Sequence, residues 1–175
     1  MQSTLRSLLN RRVLVADGAM GTMLQSFGDL SLEDDFQGLE GCNEILNVTR
    51  PDVVAAVHRA YFEAGSDAVE TNSFGTNLAA LGEYDIVDRL EELAGAAASI
   101  ARGVADEFST EERPRFVLGS VGPGTKLPTL GHISYAAIRD AYQAQVRAMI
   151  RGGIDGVQIE TAQDLLQAKA AVIGA

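Results

Sequence analysis

The apolar positions of this chain alternate between short β-branched runs and longer stretches in which they recur three and four residues apart. Four runs read as strands: 13–16 (Val-Leu-Val-Ala), 67–71 (Asp-Ala-Val-Glu-Thr), 115–120 (Arg-Phe-Val-Leu-Gly-Ser) and 155–161 (Asp-Gly-Val-Gln-Ile-Glu-Thr). From Asp85 onward, Ile86, Leu90, Leu93, Ala97, Ile100, Val104 and Phe108 hold the helical spacing and predict a long amphipathic helix. Val53, Val57 and Tyr61, with Val54, Ala60 and Ala64, predict another, with Thr49 as cap, Pro51 in the first turn and Gly65 as stop. Ser134 caps a third, whose face of Tyr135, Ile138, Tyr142, Val146, Met149 and Ile150 runs to Gly152-Gly153. A last helix begins near Asp164. Residues 1–12 predict a basic leader helix against one end of the fold, 77–81 a short helical turn, and 26–41 and 126–133 loops.

Strands that alternate with helices imply a parallel sheet with crossover helices. A weak repeat agrees: Gly65-Ser66-Asp67-Ala68-Val69 and Gly153-Ile154-Asp155-Gly156-Val157 share Gly-x-Asp-x-Val, two β/α units apart. The expected class is therefore α/β, with about four parallel β/α units forming the first half of a (β/α)8 barrel. A whole barrel takes about 250 residues, so this 175-residue chain is expected to be a truncated fragment.

Composition narrows the partners. The net charge is −10, with 14 basic against 24 acidic residues and no extended Lys/Arg cluster, so neither nucleic acid nor an anionic membrane is an expected partner. No apolar run has the length of a membrane span. Cys42 is the only cysteine, so no internal disulfide can form and a cytoplasmic setting is expected. One cysteine and two scattered histidines, His58 and His132, give no zinc spacing. His58, inside a helix, reads as structural, and His132 as a solvated loop residue. Val121-Gly122-Pro123-Gly124-Thr125 matches neither phosphate-loop nor dinucleotide fingerprints.

The candidate chemistry lies where the strands end. Asp17 closes the first, Glu70-Thr71-Asn72 the second, Ser120 the third and Glu160-Thr161 the fourth. Parallel strands bring these tips to one rim, the place where ligands bind in such folds. Carboxylates there suit an ammonium, and the glycines after Asp17 offer backbone N–H groups to a carboxylate, so the rim suits a zwitterion. Acids at strand ends also cap the helices that follow, and both readings stay open on residue type alone.

Taken together, certain segments resemble the homocysteine S-methyltransferase domain, most closely the N-terminal module of cobalamin-dependent methionine synthases. They are Asp17-Gly18-Ala19-Met20-Gly21-Thr22-Met23-Leu24-Gln25, Cys42-Asn43-Glu44-Ile45-Leu46-Asn47-Val48-Thr49-Arg50-Pro51, Ala60-Tyr61-Phe62-Glu63-Ala64-Gly65-Ser66-Asp67, Glu70-Thr71-Asn72-Ser73-Phe74, Gly119-Ser120-Val121-Gly122-Pro123 and Ile159-Glu160-Thr161. The resemblance implies a homocysteine-binding barrel in which Asp17 and Glu160 hold the substrate ammonium, Gly18 and Thr71 lie near its carboxylate, and Ser120 is a looser candidate. It also implies zinc held by three cysteines and a methyl group drawn from methylcobalamin. Those cysteines would lie beyond Ala175, and Cys42 matches none of them. Zinc and cobalamin are thus expected of the full-length enzyme, while the chain alone is expected to hold no cofactor and to be inactive. Residues 1–175 are expected to form the N-terminal half of the barrel domain and to pair as a homodimer through exposed edges. A betaine- or S-methylmethionine-dependent relative, or a non-catalytic half-barrel interaction module, are the alternatives.

Overall fold

A computed structural model describes residues 4–175; the first three residues of the expected leader helix lie outside the described residues. The leader forms α1 (Leu5–Leu9), with the Thr4 side chain accepting from the Ser7 N–H. Next come an edge segment (13–17), α2 (Met20–Gln25), α3 (Leu46–Thr49), α4 (Pro51–Ala64), β1 (Ala68–Glu70), α5 (Leu78–Glu83) and α6 (Leu90–Phe108). The chain continues through β2 (Phe116–Val121), α7 (Tyr135–Gly152), β3 (Gly156–Ile159) and α8 (Leu165–Gly174). The three strands form one parallel sheet in chain order, β1-β2-β3, with Val69 beside Val117 and Gly119 beside Val157.

The edge segment differs from expectation. It lies parallel to β1, yet forms a single bridge, Ala16 to Ala68, rather than a full strand. Two carboxylates explain this. The Val15 N–H donates to Asp67 Oδ2 at 3.0 Å. The Glu70 N–H, which would donate to a main-chain carbonyl if the ladder continued, donates instead to the Asp17 carboxylate, 3.0 and 3.1 Å from its two oxygens. Side chains thus take hydrogen bonds that a longer ladder would give to backbone. Arg12 makes a two-pronged ion pair with Asp67, which holds that carboxyl down at about 2.

Alternation along the strands separates two faces. Val69, Val117, Val121, Val157 and Ile159 pack against the helices. The long helix α6 meets this layer with Ala94, Ala97, Ala98, Ala101 and Ala105, all fully buried, and these small side chains admit α7 closely enough for Gly152 to lie over Ala98. On the opposite face, Leu5 and Leu8 of α1 cover Leu14, Ala68, Phe116 and Leu118 at the N-terminal end of the strands. The other end of that face carries the polar strand tips.

Helix boundaries follow the capping residues with one correction. Asn77, Ser134 and Asp164 each accept from a first-turn N–H, and Gly65 and Gly153 close α4 and α7 in the left-handed conformation. Thr49 is not the cap of α4. It ends α3, and its hydroxyl bonds to the Asp35 and Ile45 carbonyls, while Arg50 occupies the cap position ahead of Pro51. The long helix proper begins at Leu90, because Asp85 takes a positive φ of 58° and Val87–Arg89 form a separate 3-10 turn.

Candidate functional site

The strand tips open into a cavity of about 640 Å³. Asp17, Gly18, Glu70, Ser120 and Glu160 line it from the sheet, joined from the loops by Asn43, Glu44, Asn77 and Tyr84. Its volume lies in the range of small-molecule sites.

Three carboxyls, from the ends of the edge segment, β1 and β3, line this cavity. Asp17 is anchored by the Glu70 N–H, and Glu160 by the Ser120 hydroxyl at 2.5 Å. Burial pushes the Asp17 carboxyl up to about 7, and the nearby charge of Glu160 adds to that. Glu70 is also pushed up to about 7, by burial first and then by Glu160 and Asp17. Like charges gathered out of water favour the protonated form of some members, unless a cation joins them.

Of the residues singled out from sequence, Asp17, Ser120 and Glu160 bring their side chains together, and Gly18 presents backbone to the same space. Gly18 is held close to α4: a Cβ there would stand 3.2 Å from the Tyr61 hydroxyl, which itself donates to the Ala19 carbonyl. Thr71 differs from expectation. Its hydroxyl accepts from the Ser120 N–H at 3.0 Å and contacts Ser73 and Met149 on the helix-facing side. Thr71 borders the cavity, but its hydroxyl is engaged on the helix-facing side, because successive strand residues point to opposite faces. Glu70, its neighbour, is the inward residue. That alternation, readable in Ala68-Val69-Glu70-Thr71, is the signal that singles out Glu70 over Thr71 as the cavity side chain.

Glu44 is a further cavity residue missed by the sequence reading. It is buried, accepts the Gly75 N–H at 2.7 Å, and desolvation raises its pKa. A Cβ on Gly75 would fall 2.6 Å from Glu44 Oε1, so a side chain there would displace the Glu44 carboxyl. Behind this wall the Asn72 amide donates to the Asn43 carbonyl and to Asn47 Oδ1, tying the loop ahead of α3 to the tip of β1.

The remaining candidates fall elsewhere. His132 sits in its exposed loop, where its Nδ1 accepts from the Leu127 N–H at 3.4 Å. His58 is wholly buried in α4 with both ring nitrogens unpartnered, and desolvation pulls it down to about 4. The glycines after β2 serve packing: a Cβ on Gly122 would strike Phe74, and one on Gly124 would strike Asn77. Cys42 is buried beside Glu44 and does not border the cavity; burial and the Glu44 charge push its thiol up to about 11. Among the described residues no three His, Cys, Asp or Glu side chains are grouped to hold a metal, and no helix is long and apolar enough to cross a membrane.

Comparison with known proteins bears on this geometry. A family model described as Homocysteine S-methyltransferase matches residues 14–175. The chain is 62% identical over 170 residues to a methionine synthase of Mycobacterium tuberculosis, and 61% identical over 166 residues to one of Mycobacterium leprae. These alignments cover 97% and 95% of this chain but 14% of each relative's length. Among solved structures, the oxidized form of the homocysteine methyltransferase MmuM from Escherichia coli superposes with a TM-score of 0.74 at 24% identity, over 95% of this chain and 59% of that one. Its metallated form gives the same TM-score at 23% identity. The fold is thus part of the barrel seen in those enzymes.

Proposed function

The chain belongs to the homocysteine S-methyltransferase family, and from that premise we propose that its cavity is the amino-acid-recognising part of the homocysteine site of a methionine synthase. The observation that supports this reading is that Asp17 and Glu160 line one cavity at the strand tips, each oriented by a neighbour's hydrogen bond. The substrate ammonium would lie between them as a charge-assisted donor. The Gly18 main chain would face the substrate carboxylate, an anion that acidic side chains alone would repel. The remaining cavity would take the side chain bearing sulfur.

In this reading the longer protein transfers a methyl group to the homocysteine sulfur, and these residues bind and orient the amino acid. Zinc, where bound, would favour the thiolate form of that sulfur. The residues present here do not fit a three-thiolate zinc site, because Cys42 is the only cysteine and lies outside the cavity with its thiol protonated. In this reading the thiolates would come from outside residues 1–175. The single reduced cysteine accords with a cytoplasmic setting.

Calorimetric titration with L-homocysteine tests the reading. Asp17→Asn and Glu160→Gln should each weaken binding by about tenfold or more, the scale of one lost charged hydrogen bond, while leaving far-ultraviolet circular dichroism unchanged. Wild-type affinity in both variants would contradict it.

A second proposal concerns assembly. Val13 and Val15, on the exposed side of the edge segment, are 84% and 58% accessible, and Val172 and Ile173 on α8 are 63% accessible each. We propose that two copies associate through these borders, since exposed apolar edges favour pairing. Sedimentation of this chain at micromolar concentration should give a dimer; a monomer would contradict it.

A further inference from the structure

The cavity's charges are one-sided. Five of its lining residues are carboxylic acids (Asp17, Glu44, Glu70, Glu83 and Glu160), and none is Lys, Arg or His. The charges that act on Glu70 are Glu160 from the end of β3 and Asp17 from the edge segment. The Tyr61 phenol of α4 stands behind Asp17 and is committed to the Ala19 carbonyl. Among the described residues, no Lys, Arg or His lines the cavity to balance these carboxylates.

An ionised carboxylate only accepts hydrogen bonds, so neighbouring ionised carboxylates offer one another no donor. The Glu160 charge lies close enough to Glu70 to disfavour its ionised form. Ser120 already donates to Glu160, and the main-chain N–H of Glu70 already donates to Asp17. Glu70's own carboxyl is the member of the trio for which no protein N–H or O–H donor is provided among the described residues. A primary ammonium carries three N–H donors, one for each carboxylate, whereas a quaternary ammonium carries none.

Resting on the homocysteine reading above, we propose that Glu70 is a third ammonium-recognising residue beside Asp17 and Glu160, and that the arriving α-ammonium expels the proton that Glu70 holds in the empty cavity. The ammonium keeps its three protons and donates them to the three carboxylates; the displaced proton passes to solvent. The burial that raises Asp17 and Glu70 to about 7 keeps these two partly protonated near neutrality, so there is a proton to lose. The exchange makes the site select primary α-amines over trimethylated ones. It also makes affinity rise with pH up to neutrality, because binding releases protons.

The test is titration calorimetry with L-homocysteine in pairs of buffers that differ in ionisation enthalpy, at pH 6 and pH 8.5. The wild-type chain should release at least one proton per ligand at pH 6 and close to none at pH 8.5. Glu70→Gln keeps the main-chain N–H that anchors Asp17; it should release one proton fewer at pH 6 and bind about tenfold more weakly at pH 8.5. Homocysteine binding with no proton release at pH 6 overturns the exchange. Wild-type affinity in Glu70→Gln overturns the recognition role while leaving the homocysteine reading standing. Failure of the wild-type chain to bind homocysteine at either pH overturns both. The wild-type proton count alone decides the exchange should the variant fold poorly.

Discussion

Asp17 accepts the main-chain N–H of Glu70 at 3.0 Å, and this contact both ends the edge ladder and points two carboxyls into one cavity. A side chain at the end of an edge segment is thereby fixed by the backbone of the neighbouring strand. Recognition geometry and sheet pairing therefore share one hydrogen bond.

That sharing has a pH signature. Asp17 and Glu70 are raised to about 7 in the folded chain, from ordinary values near 4 in the unfolded one. The folded state then binds more protons than the unfolded state between those limits, so these groups lower stability as pH rises from 4 through 7. Asp17→Asn, whose amide oxygen can still accept from Glu70, is expected to gain about 2 kcal/mol over wild type at pH 8 and little at pH 4. Urea midpoints at the two values check this. An equal effect at both would contradict the assignment.

His58 acts in the opposite sense. Its folded pKa of about 4 lies below the ordinary 6.5, so the unfolded chain takes up a proton first as pH falls. The stability it contributes is complete above about 6.5 and is lost as pH falls toward 4, amounting to about 2 kcal/mol between pH 7 and pH 5. His58→Leu removes two buried unpartnered nitrogens and is expected to abolish this slope and to stabilise the chain at pH 5. Because the cavity acids slope the other way over the same range, the difference between variant and wild type at each pH is the measurement that separates them.

Two helical glycines should respond oppositely to alanine. Gly152 lies where α7 crosses α6, and an added Cβ would stand 2.5 Å from the Ala98 Cβ and 2.8 Å from the Gly95 carbonyl. Gly152→Ala should cost about 1–3 kcal/mol by overpacking. Gly103, exposed in the interior of α6, has open space where a methyl group would stand, with nothing within 4 Å, and Gly103→Ala should gain about 0.5–1 kcal/mol from helix propensity. Thermal or urea denaturation of the pair checks both signs.

The sequence pattern makes the layers of this fold legible because burial enforces periodicity. The face running through Leu90, Leu93, Ala97 and Val104 of α6 is buried as its spacing requires. Asp164 and Ser134 are caps because their short side chains can reach the following N–H groups. Contacts made by individual side chains across the fold are less legible. Thr49 has a capping residue's chemistry, but the distant Asp35 carbonyl claims its hydroxyl. The segment 13–17 has strand composition, but Asp67 and Asp17 compete for its ladder. Three site candidates, Asp17, Ser120 and Glu160, follow from parallel strand tips. Choosing between Glu70 and Thr71 needs the alternation of faces as well, and the buried link from Glu44 to Gly75 has no local signal.

The central claim, that the acidic rim recognises an α-ammonium, is tested most directly by comparing L-homocysteine with 4-sulfanylbutanoate, which keeps the thiol and carboxylate but lacks the amino group. Titrated into the chain at pH 8, homocysteine should bind and the desamino compound should bind at least tenfold more weakly. Equal affinity for the two would contradict the account.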